Sequence, residues 1–100
     1  MDSRSVIWIT VESLRQNHTF SLFSSEQITP NLNRMAQTGV EFSQCHAHSI
    51  WTRPSTASIL TGHPPSAHQT WSNAAKLPEN LLTIPEAFAT AGYRTVGISP

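Results

Sequence analysis

Apolar and β-branched residues run unbroken from Val6 to Val11 and give way at once to Glu12, Ser13, Arg15, Gln16 and Asn17. A run that is apolar on both faces predicts a buried strand of the parallel type. Leu32, Met35 and Ala36 share a helical face in a segment opened by Thr29-Pro30 and ended by Gly39, which predicts a helix. Val40–Cys45 alternates and predicts a second strand. Pro54 then leads a short helix that stops at Gly62, with Thr52 just before it. Gly62–Asn80 is rich in Pro, His, Ser and Asn and reads as irregular. Thr83-Ile84-Pro85-Glu86 spells a capping box for a helix through Ala87, Phe88 and Ala91 that Gly92 ends, and Tyr93–Ser99 reads as a third strand. Strands separated by helices imply a parallel sheet with right-handed crossovers, hence an α/β class with at least two of these strands parallel.

Composition narrows the picture. A chain of 100 residues makes one small domain, and 38% hydrophobic residues suffice for a core. Six Lys+Arg balance six Asp+Glu, so the net charge is zero. That gives no electrostatic case for nucleic acid or an anionic membrane, and any anion must be held locally. Cys45 is the single cysteine, which excludes an internal disulfide and suits a reducing compartment. Val6–Ile9 is too short for a signal core or a membrane span. The expectation is a soluble, cytoplasmic protein without nucleic-acid or membrane partners. Ser99-Pro100, straight after the third strand, reads as a cut C-terminus.

Two positions carry candidate chemistry. Glu12 follows the first strand, and ligands in open α/β sheets sit outside the carboxyl ends of strands. The competing reading is a solvated loop acid. Thr52 stands at a helix N-terminus, where N–H groups and the helix dipole favour an anion. The competing reading is an ordinary N-cap. His46 and His48 would share a face on a strand, but a polar loop explains them better. His63 and His68 flank a Pro-Pro turn and read as surface residues. Cys45 reads as a small core residue, Trp51 as packing under the Thr52 loop, and Arg15 either as an anion contact or as half of a surface ion pair.

Several segments in register resemble the N-terminal part of the sulfatases, within the alkaline-phosphatase superfamily. Ile7-Trp8-Ile9-Thr10-Val11-Glu12-Ser13-Leu14-Arg15 resembles the family's first strand and its metal-binding carboxylate. Thr29–Ala36 and Gly39–Phe42 resemble its first helix and second strand. Thr52-Arg53-Pro54-Ser55-Thr56-Ala57-Ser58-Ile59-Leu60-Thr61-Gly62 resembles the nucleophile motif, with Pro65 and His68 after it, and this resemblance would place His68 near the site. Leu77-Pro78, Thr83–Ala87 and Ala91–Thr95 resemble the helix and strand that follow.

The resemblance implies the N-terminal portion of a three-layer sandwich with a mainly parallel sheet, spanning 1–100, with the C-terminal part of the fold missing. It implies a hydrolase that attacks a small-molecule sulfate, phosphate or phosphonate ester through a metal-activated nucleophile. Thr52 and Arg53 would be catalytic, and Glu12 and Thr52 would touch a divalent Ca²⁺, Mg²⁺, Mn²⁺ or Zn²⁺. Glu12 and Thr52 should then lie close together at neighbouring strand ends. Two departures stand out. Glu12 occupies a position where the family has Asp, and Thr52 one where sulfatases carry a Cys or Ser that becomes formylglycine. Thr cannot make formylglycine, and Thr56 replaces the motif's Arg. The alternative is a non-catalytic pseudoenzyme or anion-binding fragment, open to self-association along a sheet edge. On either reading the isolated chain is expected to show little or no esterase activity.

Overall fold

A computed structural model of the chain describes residues 4–19 and 28–99. It contains a 3-10 turn at Gln16–His18 and four helices: α1 (Pro30–Thr38), α2 (Thr52–Thr61), α3 (Pro65–His68) and α4 (Ile84–Thr90). The chain divides into two compact units, Met1–Cys45 and His46–Pro100.

The expected parallel sheet is not there. No strand occurs among the described residues: Val6–Val11, Val40–Cys45 and Tyr93–Ser99 pair into no ladder. This overturns the three-layer α/β sandwich and, with it, the exposed sheet edge expected to drive self-association. The physical reason is visible in the exposure of these segments. Ile7 is 85% exposed, Phe42 78% and Ile98 97%. A parallel strand needs a neighbour for its backbone and a covering layer on each face. These segments have β-type sequence, but they form no ladder among the described residues and much of their apolar surface stays exposed.

Helix punctuation follows the local chemistry more closely. α1 starts on Pro30, and its first bond runs from Asn33 N–H to Thr29 C=O at 3.0 Å. The Thr29 hydroxyl caps no backbone group; it donates to Asn33 Oδ1 at 3.4 Å. α2 begins earlier than its proline suggests. Trp51 is the N-cap and Thr52 the first helical residue, leaving Pro54 third in the helix. Pro costs little there, because the first turn's N–H groups have no intrahelical acceptor. Gly62 closes α2 in the left-handed region at φ 70°, and its N–H bonds to Ser58 C=O at 2.8 Å.

α4 is bounded by its own sequence at both ends. The Glu86 carboxylate accepts from the Thr83 N–H at 2.8 Å and the Thr83 hydroxyl at 2.7 Å. These two bonds, the hydroxyl first, hold the Glu86 carboxyl below its ordinary value. At the other end Gly92, at φ 88°, permits a Schellman turn: Tyr93 N–H reaches Phe88 C=O and Gly92 N–H reaches Ala89 C=O, both at 3.0 Å. The Phe88 and Tyr93 rings meet edge-on, centroids 5.0 Å apart, and supply the apolar contact that accompanies such a turn.

The packed centre of the second unit lies where α2 meets α3. Pro54, Ala57 and Ser58 on α2 and Pro65 and His68 on α3 are buried. α3 itself falls inside the stretch read as irregular; four residues that start on the second of two prolines give no periodicity to detect. α2 also packs on α4.

Candidate functional site

Thr52 and Arg53 stand at the start of α2, both exposed. They open onto a groove of about 730 Å³, whose lining includes Trp51, Thr56, Leu60, Thr70 and Asn73. Trp51 thus lines the groove rather than packing beneath it. Arg53 Nη1 donates to the Ala75 carbonyl at 2.7 Å, a bond across 22 residues of sequence. That bond fastens the 73–77 strip, which also lines the groove, beside the first turn of α2. Thr56, at the position where the resemblance expects Arg, lines the groove as a hydroxyl. Positive charge comes from Arg53 and Lys76 instead, and among the described residues that line the groove there is no Asp or Glu.

Beneath it lies a buried polar knot. His68 is 1% exposed. Its Nε2 is 3.0 Å from Ser58 Oγ, and its Nδ1 accepts the Thr70 N–H at 3.1 Å. A backbone N–H can only donate, so Nδ1 carries no proton; the proton sits on Nε2 and is donated to Ser58. The Thr70 hydroxyl returns a bond to the His68 carbonyl at 3.2 Å. Every buried side-chain nitrogen and oxygen among the described residues has a partner. The reading of His68 as a surface residue is corrected: it is buried, and it bonds to Thr70, which lines the groove. His63 does lie on the surface, its Nδ1 2.9 Å from Thr61 C=O.

The remaining candidates behave differently. Glu12 belongs to the first unit, where it sits exposed in a turn beside Ser13 at φ 58°. Arg15 is the exposed N-cap residue of the 3-10 turn. His46 and His48 are exposed in a loop. Cys45 is exposed, not part of a core, because the strand expected to bury it does not form.

A divalent cation of the hard class takes about six or more oxygens. Glu12 and Thr52 offer hard oxygen donors, but no group of three or more His, Cys, Asp or Glu among the described residues could hold a metal ion. The described residues therefore do not fit a complete metal centre. No helix among them is long and apolar enough to cross a membrane.

Sequence reading missed Ser58, Thr70, Asn73 and Lys76. Thr70, Asn73 and Lys76 lie in the stretch read as irregular and Ser58 inside the helix that Gly62 ends, with polarity as their only local signal; what gathers them is the contact of α2 with the chain after it.

Comparison with known proteins adds an independent line. The sulfatase family model matches residues 4–100. An N-acetylglucosamine-6-O-sulfatase of Bacteroides thetaiotaomicron is 36% identical over 70 residues, covering 70% of this chain and 12% of that protein. A sulfatase of Formosa agariphila is 32% identical over 108 residues, covering 98% of this chain and 21% of that protein. Arylsulfatase G of Rattus norvegicus is 37% identical over 75 residues, covering 70% of this chain and 14% of that protein. The chain thus spans between 12% and 21% of the length of these relatives. No solved structure gives a significant match.

Proposed function

The chain belongs to the sulfatase family, and from that premise we propose that it carries the nucleophile-bearing segment of an ester hydrolase, with Thr52 as the attacking hydroxyl. The observation that supports this most is the groove at the start of α2. It joins an exposed hydroxyl at a helix N-terminus to two cations, Arg53 and Lys76. An ester's anionic group is attracted there, and the N–H groups of the first turn favour negative charge developing on its oxygens. Attack by the Thr52 oxygen on sulfur or phosphorus would expel the alcohol and leave a covalent ester on Thr52, which water then hydrolyses.

Sulfatases generally use a metal ion, and Glu12 is the residue whose register with the family would make it a metal-binding carboxylate. The described residues by themselves do not complete such a centre.

The substrate class follows from the hydroxyl. Thr bears a methyl group where a formylglycine aldehyde would need hydrogen, so Thr52 acts unmodified. A sulfated Thr lacks the easy expulsion route of a formylglycine hydrate, whereas a phosphorylated Thr can be attacked by water. This favours small phosphate, phosphodiester or phosphonate esters over sulfate esters. The test grafts this chain in place of the matching segment of the N-acetylglucosamine-6-O-sulfatase and compares aryl phosphonate with aryl sulfate hydrolysis. Phosphonate turnover that vanishes in Thr52→Ala is expected. A Thr52-dependent preference for the sulfate would show that the hydroxyl does not set the ester class.

A further inference from the structure

One buried titratable side chain plays no part in attack by Thr52. His68 is 1% exposed, and both of its ring nitrogens are engaged. Nε2–H donates to Ser58 Oγ at 3.0 Å, and Nδ1 accepts the Thr70 N–H at 3.1 Å. This pair of bonds suits only the neutral ring. Histidine is the side chain that ordinarily changes charge between about pH 5 and 8. A further proton can enter only at Nδ1. There it meets the Thr70 N–H, donor against donor, in a buried setting that also disfavours the charge.

The backbone next to the ring carries a matching strain. Gln69, the C-cap of α3, sits in the left-handed region at φ 52°, where a residue with a Cβ is disfavoured. Its turn is held by Gln69 N–H on Pro65 C=O at 2.8 Å and, one residue on, by Thr70 N–H on the His68 ring. Losing the second bond lets Thr70 move and Gln69 relax. The charged and titratable groups on the surrounding elements have other positions. Arg53 on α2 bonds to Ala75 C=O, His63 between α2 and α3 lies against Thr61 C=O, and Glu86 on α4 accepts from Thr83. Lys76, beyond the turn, is exposed.

We propose that His68 is a proton-operated latch on the groove wall. Neutral, the ring holds Thr70 against α2. On taking a proton from solvent at Nδ1 it gives up the Thr70 N–H to water, and the turn through Gln69 and Thr70 parts from α2. The released form holds one proton more than the latched form, so falling pH favours release. Thr70 lines the groove. Control of that groove as an ester site rests on the reading of Thr52 as the attacking residue, whereas the latch itself rests on the ring and its two bonds.

The test follows the full ¹⁵N-labelled chain from about pH 7.5 to about pH 5, the span over which histidine ordinarily changes charge. Ring nitrogen shifts should show His68 neutral at the upper end, with its proton on Nε2. The protection factor of the Thr70 amide, already corrected for intrinsic exchange, should fall as the ring takes its proton. The limit is about tenfold per pH unit, the slope for uptake of one proton. His68→Asn cannot titrate, yet its side-chain oxygen accepts from the N–H two residues on. Its Thr70 protection should stay level over the same span. Gln69→Gly leaves the ring intact and relieves the left-handed strain, so it should raise Thr70 protection at the acid end about fivefold over the parent. Level protection in the parent, a fall that survives His68→Asn, or no gain in Gln69→Gly would overturn the latch. Inorganic sulfate, added at both ends of the span, judges the Thr52 reading separately. Thr52 and Arg53 amides that shift at neither end count against Thr52 and leave the latch standing.

Discussion

His68 donates through Nε2 to Ser58 Oγ across 3.0 Å while its Nδ1 accepts the N–H of Thr70 at 3.1 Å. One buried ring thereby ties the middle of α2 to the turn after α3, and that turn carries a groove-lining residue. Each bond closes a polar group that burial would otherwise leave unpaired.

His68→Ala is expected to destabilise the chain by about 2–4 kcal/mol, because it opens a cavity and orphans both Ser58 Oγ and the Thr70 N–H. Ser58→Ala should cost less, about 1–3 kcal/mol, since only the Nε2 proton loses its partner. Urea unfolding of the three proteins reads both. A His68→Ala midpoint equal to that of the parent would mean that the knot contributes nothing.

Gly62→Ala separates backbone strain from crowding. A Cβ at Gly62 would meet nothing within 4 Å, yet φ is +70°. The expected loss is therefore conformational, about 1 kcal/mol. Gly62→Asn, which tolerates the left-handed region better, should recover part of it. Thermal melts of the two variants make the comparison, and equal losses would point to some other cause.

The start of α4 should loosen in acid. Hydrogen bonds from Thr83 lower the Glu86 carboxyl below 4.5, its ordinary value. A depressed acid stabilises above the unfolded-state value and loses that stabilisation as pH falls through the lower folded-state value. Amide exchange at residues 84–88 should accelerate below about pH 4.5 in the parent. Glu86→Gln, whose amide does not titrate, should remove that pH dependence. If the variant keeps it, another group is responsible.

The isolated chain is expected to turn over neither aryl sulfate, aryl phosphate nor phosphodiester substrates measurably with Mg²⁺, Ca²⁺, Mn²⁺ or Zn²⁺. Among the described residues no cluster of three or more His, Cys, Asp or Glu could hold a metal ion. Metal-dependent turnover lost in Thr52→Ala would make the short chain an enzyme in its own right.

Local sequence determined the punctuation of the helices. Thr29-Pro30, Gly62, the Thr83–Glu86 capping box and Gly92 act within a few residues of themselves, and each occurs at a helix boundary near the position expected. Local physics also explains the two-residue error at α2: a proline is tolerated anywhere in a first turn, so Pro54 does not mark the first helical residue. The family, too, was legible, because a residue order carried in register over 4–100 survives whatever the chain packs against.

Tertiary structure decided the rest. A β-branched run becomes a strand only when a neighbouring strand pairs with its N–H and C=O groups in a ladder, and among the described residues Val6–Val11, Val40–Cys45 and Tyr93–Ser99 form no ladder. The same logic left Cys45 exposed and took His68 inside, since burial depends on which element arrives opposite. The groove's charge was equally hidden. Arg53 and Lys76 are 23 residues apart in sequence and come to line one groove where an arginine N–H meets the carbonyl of Ala75. No periodicity encodes that contact; it exists only once the chain has folded back on α2.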